Sequence, residues 1–526
     1  MVILLIFSAF LFFFNLNQWD LWNPDEPRYA QVAREMVQGR DWILMHLNGK
    51  VYADKPPLFF WLIGLSSIFF QGFTSFAIRF PSALFGVLGI LNTFLIGKNL
   101  YSSRTGFLSA LVLMTSFQFT YLSTRANMDT TLTFFTTFSL LCFYYWYREE
   151  KKGLIIYGFY IGMALATLVK GPIGFILPLL VSLIYLGILK DWNGIKRMRL
   201  LSGMILCLAI IFSWYLPALL KGGKEFLQET LLLHTVDRFA RGSSHIRPFY
   251  YYLYNFPIDF LPWTIFLPGA IVYLFSKDGG HQSKENLFLL IWFLVIFLFF
   301  SVSKGKRGLY LLPLFPSVSL MVGKLWDDFI SSSFDSFRQE WLTIPLYGWT
   351  VLTLILGAAL PWIISKKFSS YFSYSLPITF LLIGGSLLLI FLYRIRFRAS
   401  LFFVIVAMMA IGFFYIERVI FPIINPYKSA RFICQEVTSR IRPGERIGIY
   451  RGFGVGPYNF YTGIVPILEL ETKEDLLHFL NSDERVFCLL KFKDFLKLQE
   501  IENKPNIEWI ARRRVGDDDI VLISNR

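Results

Sequence analysis

Along most of this chain the hydrophobic positions neither alternate with polar ones nor recur in an amphipathic rhythm; they run on, and short polar clusters punctuate them. Crossing ~30 Å of hydrocarbon at ~1.5 Å per residue takes ~17–25 residues. Runs that approach this length cover 2–17, 79–97, 105–123, 128–147, 154–169, 172–189, 200–220, 256–276, 286–302, 308–325, 342–364, 375–393 and 399–416, thirteen in all. The first lacks a basic leader and a small-residue cleavage site, so it reads as an uncleaved anchor. The pattern changes at 417–426. Beyond it, helix-like stretches (428–441, 471–481) alternate with short apolar strands (446–450, 485–490, 520–523), which predicts a small α/β domain. The expected organisation is a polytopic α-helical membrane domain over 1–420, with outer loops 18–78 and 221–255, and a soluble α/β domain over 421–526.

Composition agrees with lipid as part of the solvent. The chain is 55% hydrophobic and only 17% charged, where soluble domains run near a quarter charged. Four cysteines in 526 residues exclude a disulfide scaffold, and unbroken apolar runs exclude a transmembrane β-barrel. Cys434 and Cys488 sit in apolar settings that favour buried thiols over a disulfide. The net charge is +15, yet 16 Lys/Arg against 15 Asp/Glu from Asn425 onward leave only +1 in the last segment. The excess therefore belongs to the membrane part, where topology, anionic lipid or a phosphorylated ligand uses it and nucleic acid does not. Placing the N-terminus in the cytoplasm puts Lys98/Arg104, Arg148/Lys151/Lys152, Lys190/Lys196/Arg197/Arg199, Lys277/Lys284, Lys324/Arg338 and Arg394/Arg396/Arg398 on the inner side. An odd number of spans then carries the C-terminal domain to the periplasm.

Some polar residues are not explained by topology. Asn23-Pro24-Asp25-Glu26-Pro27 supplies cap residues and a proline before Arg28–Gln38, whose apolar positions recur at helical spacing and predict a helix lying in the outer interface. At its N-terminus the helix dipole favours ionised Asp25 and Glu26, either as cap partners or as a general base for a hydroxyl acceptor. Asn48-Gly49-Lys50 is a turn. Lys55, fixed between Asp54 and two prolines, is a phosphate contact or a snorkelling interfacial lysine. Arg125, Asp129, Lys170, Lys304, Lys306 and Arg307 interrupt apolar runs at their outer ends. Ionisable groups at such depth are costly unless paired or wet, so they form either a cationic pocket or structural ion pairs such as Arg125 with Asp129. No phosphate-binding glycine loop precedes a helix at the required spacing.

The motifs Pro24-Asp25-Glu26-Pro27-Arg28-Tyr29-Ala30, Ala33-Arg34-Glu35-Met36, Gly39-Arg40-Asp41-Trp42, Leu47-Asn48-Gly49 and Lys55-Pro56-Pro57-Leu58 resemble the first outer loop of bacterial lipid A aminoarabinose transferases. These belong to the protein O-mannosyltransferase-like branch of the GT-C glycosyltransferases. The resemblance continues through Arg125 and Asp129, Lys170-Gly171-Pro172, Arg247-Pro248-Phe249-Tyr250, Ser303-Lys304-Gly305-Lys306-Arg307, Tyr310-Leu311-Leu312-Pro313 and Phe460-Tyr461-Thr462-Gly463. It implies thirteen spans, a periplasmic α/β domain and a polyprenyl-phosphate sugar as donor. It also implies that Asp25 is the essential loop-one carboxylate with Glu26 beside it, that Lys55 holds the lipid phosphate, and that Asp129 and Lys170 belong to the same cavity. One branch of the family holds zinc; His234, Glu417 and His478 do not align onto its ligands, so a divalent metal is left open and no residue is assigned to it.

The chemistry follows from the residues as well. Cleaving the bond between an anomeric carbon and a lipid phosphate releases an anion, which lysines and arginines in a partly dry site stabilise. Direct displacement inverts the anomeric centre and needs one carboxylate, unlike the paired carboxylates of glycosidases. The reaction that the resemblance implies moves one sugar, first of all 4-amino-4-deoxy-L-arabinose, from undecaprenyl phosphate to lipid A in the bacterial inner membrane. A different lipid, glycan or protein hydroxyl as acceptor is the alternative within the enzyme class. A flippase or transporter of lipid-linked substrates is the alternative outside it, though neither internal repeats nor broken helices are visible in the sequence.

Overall fold

The computed structural model describes residues 1–149, 153–228, 230, 245–275, 283–331, 339–501 and 505–526. His234 and the basic positions Lys151, Lys152, Lys277 and Arg338 lie outside the described residues. Among the described residues, seven helices are long and apolar enough to cross a membrane: Ser75–Leu100, Leu200–Lys224, Lys284–Val302, Gly308–Ile330, Glu340–Lys367, Ser369–Arg394 and Arg398–Lys428. The chain is a polytopic α-helical membrane protein. Four further expected runs fall on Val2–Phe13, Met128–Arg148, Ile156–Lys170 and Ile173–Ile188, which are shorter or richer in hydroxyls.

The two remaining expected runs, 105–123 and 256–276, are bent, which overturns the reading that no span is broken. Ser103–Met114 and Phe117–Ser123 meet at 71°, and Tyr251–Asp259 and Trp263–Leu274 at 114°. Backbone groups freed by a break in apolar surroundings need new partners. At the first break the Thr115 and Ser116 hydroxyls donate to the carbonyls of Leu111 (2.7 Å) and Leu113 (2.9 Å). Pro262 interrupts the second because it has no N–H to continue the ladder. The breaks also satisfy each other: the Phe117 N–H donates to the Leu261 carbonyl (2.9 Å) and the Trp263 indole to the Thr115 hydroxyl (3.0 Å).

Packing groups the chain into two compact units, one made of Met1–Asn15, Asp54–Phe59 and Pro81–Glu417, the other of Leu16–Ala53, Phe60–Phe80 and Arg418–Arg526. Most of loop 18–78 therefore falls in the same unit as the C-terminal segment.

That second unit holds two sheets. A two-stranded hairpin, β1 (His46–Leu47) and β2 (Lys50–Val51), turns at Asn48 and Gly49, both with positive φ, as a two-residue hairpin loop requires. A five-stranded sheet in the order β4-β3-β5-β7-β6 contains β3 (Arg446–Tyr450), β4 (Leu468–Leu470), β5 (Val486–Lys491), β6 (Glu508–Val515) and β7 (Asp518–Ser524). The first three are parallel; β7 runs antiparallel to β5 and closes with β6 as a hairpin. Along β5, Phe487 and Leu489 pack with Cys434, Ile447 and Ile449, whereas Val486, Cys488 and Leu490 pack with Tyr450, Leu476 and Phe479. The period of two thus sends Cys434 and Cys488 to opposite faces of the sheet, where both are free thiols and burial pushes both upward from the usual thiol range. The expected helices appear as Arg431–Thr438 and Lys473–Leu480, the latter started by a capping box of Thr472 and Asp475. Strands β4 and β6 and the helices Gly456–Thr462 and Phe492–Gln499 are additions to the expected set.

Candidate functional site

In the second unit, the loop-one helix runs Asp25–Gln38, three residues earlier than its apolar period implies, so Asp25 and Glu26 occupy the first turn. Its apolar face is covered by protein: Tyr29 meets Phe60 edge-on, and Val32, Ala33 and Met36 are fully buried. The two carboxylates differ sharply. Glu26, 3% exposed, receives Arg79 through Nε (2.7 Å) and Nη2 (3.0 Å) and accepts the Trp22 N–H at 2.9 Å. Arg79, itself fully buried, spends its remaining donors on the carbonyls of Leu16, Trp19 and Asp20 at 2.6–3.0 Å and lies over the Trp19 ring. Glu26 is thus tied to the chain entering the helix through Trp22 and Arg79. Asp25 retains 17% exposure and pairs with Arg28 at 2.7 Å.

The rest of this helix is fixed by its partners. Arg34 donates to the Phe460 carbonyl (2.8 Å) and stacks on the Phe460 ring, while the Tyr461 hydroxyl donates to the Leu21 carbonyl (2.8 Å). Burial lowers the Arg34 guanidinium and raises the Tyr461 phenol from their ordinary values. Glu35 accepts the N–H groups of Asn48 (2.9 Å) and Gly49 (3.0 Å), and Asn48 bridges to Ile467 and Asn459. The Phe460–Gly463 motif thus acts as a dock for loop one.

In the first unit, Asp129 begins the helix Met128–Arg148 and Lys170 ends Ile156–Lys170. The two form an ion pair, 2% and 9% exposed, and the Lys170 ammonium lies 4.5 Å from the centre of the Tyr310 ring. Arg125 instead engages Tyr121, at 2.8 Å to its hydroxyl. Tyr310 follows the cluster Lys304, Lys306 and Arg307. There the segment 245–247 pairs with 304–306: Lys306 N–H donates to the His245 carbonyl (3.0 Å) and Arg247 N–H to the Lys304 carbonyl (3.3 Å). Lys304 is exposed, whereas Lys306 is buried with its ammonium on the Ser303 and Arg247 carbonyls, and burial lowers it from the usual lysine range. Lys55, also in this unit, sits 3.4 Å from Asp54 with 16% exposure.

The structure therefore brings Asp129, Lys170, Tyr310 and the 304–307 cluster together within one unit, and Asp25 with Glu26 in the other. Sequence reasoning passed over Arg79, which reads as the ordinary first residue of an apolar run; an arginine there, where a span needs no charge, was the available signal. Among the described residues no three His, Cys, Asp or Glu side chains converge as metal ligands. Glu417 is buried, and His478 lies in the last turn of the helix Lys473–Leu480.

Comparison with known proteins extends these observations. A family model described as dolichyl-phosphate-mannose-protein mannosyltransferase matches residues 54–216. An uncharacterized protein of Aquifex aeolicus is 29% identical over 471 residues, 89% of this chain and 87% of its own. The undecaprenyl phosphate-alpha-4-amino-4-deoxy-L-arabinose arabinosyl transferase 2 of Proteus mirabilis is 29% identical over 328 residues, 61% of this chain; the match spans 58% of that protein, under two thirds of its length. Among solved structures, ArnT from Cupriavidus metallidurans bound to undecaprenyl phosphate has the same fold, with a TM-score of 0.84 over 100% of this chain and 98% of that one at 19% identity. The resemblance read from the sequence is borne out: the chain is similar to the aminoarabinose transferases and shares the fold of ArnT.

Proposed function

Starting from that kinship and fold, we propose that the protein is a membrane glycosyltransferase moving one sugar from a polyprenyl phosphate to an acceptor at the periplasmic face, with 4-amino-4-deoxy-L-arabinose and lipid A as the first choice of sugar and acceptor. The observation that carries the reading is the Asp129–Lys170 pair beneath Tyr310, beside a loop with Lys304, Lys306 and Arg307. Buried cations gathered at one place in an apolar protein are matched to an anion, and a leaving lipid phosphate gathers charge as the glycosidic bond breaks. Lys55, Lys170, Lys306 and Arg307 take the phosphate in this reading, with Arg125 and Lys304 as outer contacts. Asp129 holds Lys170 in its place. Asp25 takes the proton of a hydroxyl acceptor; an acceptor phosphate is already an anion, and Asp25 then orients it. Thirteen spans, a cytoplasmic N-terminus and a periplasmic domain over 421–526 complete the reading.

Purified protein incubated with undecaprenyl-phosphate sugars and lipid A, with products read by mass spectrometry, tests it. Asp25→Asn and Lys55→Ala are each expected to lower turnover by about 10²-fold or more. Unchanged turnover in both variants overturns the assignment.

A further inference from the structure

The second broken span carries a carboxylate that nothing above uses. Asp259 ends the helix Tyr251–Asp259, immediately before the 114° break. On that helix Leu253, Tyr254 and Ile258 are more than half exposed, whereas Tyr252 and Phe256 are buried. Asp259 follows Phe256 by three residues and Tyr252 by seven, which places it on the inward face. There it touches the start of the segment that carries Tyr310: a Cβ added to Gly308 would lie 2.6 Å from both the Asp259 Oδ2 and the Asn255 Nδ2. The same helix holds the preceding residue, because the Tyr252 hydroxyl donates to the Arg307 carbonyl at 3.1 Å. The carboxylate thus lies against the backbone of Gly308, the residue that follows the Lys304–Arg307 segment. Its side-chain partner among the described residues is neutral, the Asn255 amide. A carboxylate on the inward face of a broken span whose side-chain partner among the described residues is a neutral amide is suited to a cation from outside the chain.

We infer that Asp259 determines donor specificity by accepting the ammonium of an amino sugar whose phosphate is held by the neighbouring Lys306 and Arg307. The inference rests on the proposed function and goes beyond it, since it names the feature of the sugar that this chain reads. A sugar hangs from its phosphate through a single oxygen, so a phosphate on that loop brings the ring close to Gly308, where the absence of a side chain lets the Asp259 carboxylate come up against the backbone. The Asn255 amide orients the carboxylate and satisfies one of its oxygens without neutralising it. A hydroxyl at the same ring position makes an ordinary hydrogen bond there and gains little from the charge.

The test compares two undecaprenyl-phosphate donors that differ only in an amino or a hydroxyl group at one ring carbon, turned over by wild type and by Asp259→Asn. Asparagine keeps the shape and the bond from Asn255 but removes the charge. The expected result is an apparent KM for the amino donor raised about tenfold or more, with kcat/KM for the hydroxyl donor unchanged; that second donor also certifies folding. Equal losses on both donors, or no loss on either, overturn the inference while leaving the proposed function intact. Wild type turning over neither donor sinks the proposed function, and the inference with it.

Discussion

Two buried ion pairs, one in each compact unit, look alike by sequence and burial and differ in what surrounds them. Arg79 has five N–H donors and five hydrogen bonds, two to Glu26 and three to backbone carbonyls of residues 16–20. Every donor is committed to holding one segment of chain, and the planar fork makes such commitment rigid. Lys170 instead puts a compact ammonium between the Asp129 carboxylate and the face of Tyr310, beside a loop that brings further positive charge. An ammonium on a flexible stem can be drawn from a carboxylate toward a phosphate as a committed guanidinium cannot. Buried charge alone therefore does not distinguish architecture from chemistry; the identity of the partners does. Backbone carbonyls indicate a fold clamp, whereas a carboxylate and an aromatic face among other cations indicate a ligand.

The largest expected effect comes from breaking the clamp. Arg79→Leu leaves Glu26 buried without its cation and strips three carbonyls of their donors, which is expected to cost about 3–5 kcal/mol. Folded yield and melting temperature in detergent should both collapse, together with any activity. If the variant folds normally and loses turnover alone, Arg79 belongs with the chemistry and the contrast between the two pairs fails. Lys170→Met is the intermediate case. The long apolar side chain fills the same space, and Asp129 is left to protonate or to take water at the N-terminal end of its helix. Turnover should drop about 10²-fold while the melting temperature moves by only a few degrees. A melting loss as deep as that of Arg79→Leu would make this pair a clamp as well.

How much of this was legible in the sequence follows the same division. Asp129, Lys170 and the Lys304–Arg307 cluster stand out because each interrupts an apolar run, and the Asn48-Gly49 turn announces itself by residue type alone. Arg79 does not stand out, since its carboxylate partner Glu26 lies 53 residues upstream and its other three bonds go to backbone carbonyls, which no side-chain pattern records. The broken helices were hidden for a related reason: apolar runs 105–123 and 256–276 have the composition of straight spans, and the partners that permit the bends, Thr115, Leu261 and Trp263, face each other across ~150 residues of chain. In the C-terminal domain β5 and β7 are legible as apolar runs, being buried on both faces. Strand β6 is an edge strand whose Arg512, Arg513 and Arg514 erase any alternation, so only its pairing with β7 reveals it.

The smallest expected effect concerns a carboxylate tie that is neither clamp nor catalyst, and it calibrates the other two. Asp475 closes the capping box of Lys473–Leu480 by accepting the Thr472 N–H at 2.8 Å, and its own N–H donates to the Thr472 hydroxyl at 3.1 Å. The backbone bond from Thr472 is the main cause that holds its carboxyl below the usual aspartate range. A group depressed in the folded state stabilises the fold at pH values above its unfolded pKa of ~3.9, and that contribution disappears as the pH falls through the folded value. Asp475→Asn keeps an acceptor but cannot ionise. Wild type should therefore melt slightly higher than the variant at pH 6, and the gap should close on acidification toward pH 3. A fully solvated side chain gives a small gap, because water competes for the same N–H groups. If the gap instead persists unchanged at pH 3, ionisation contributes nothing to this tie, and partner geometry would have to be weighed without charge at the buried pairs as well.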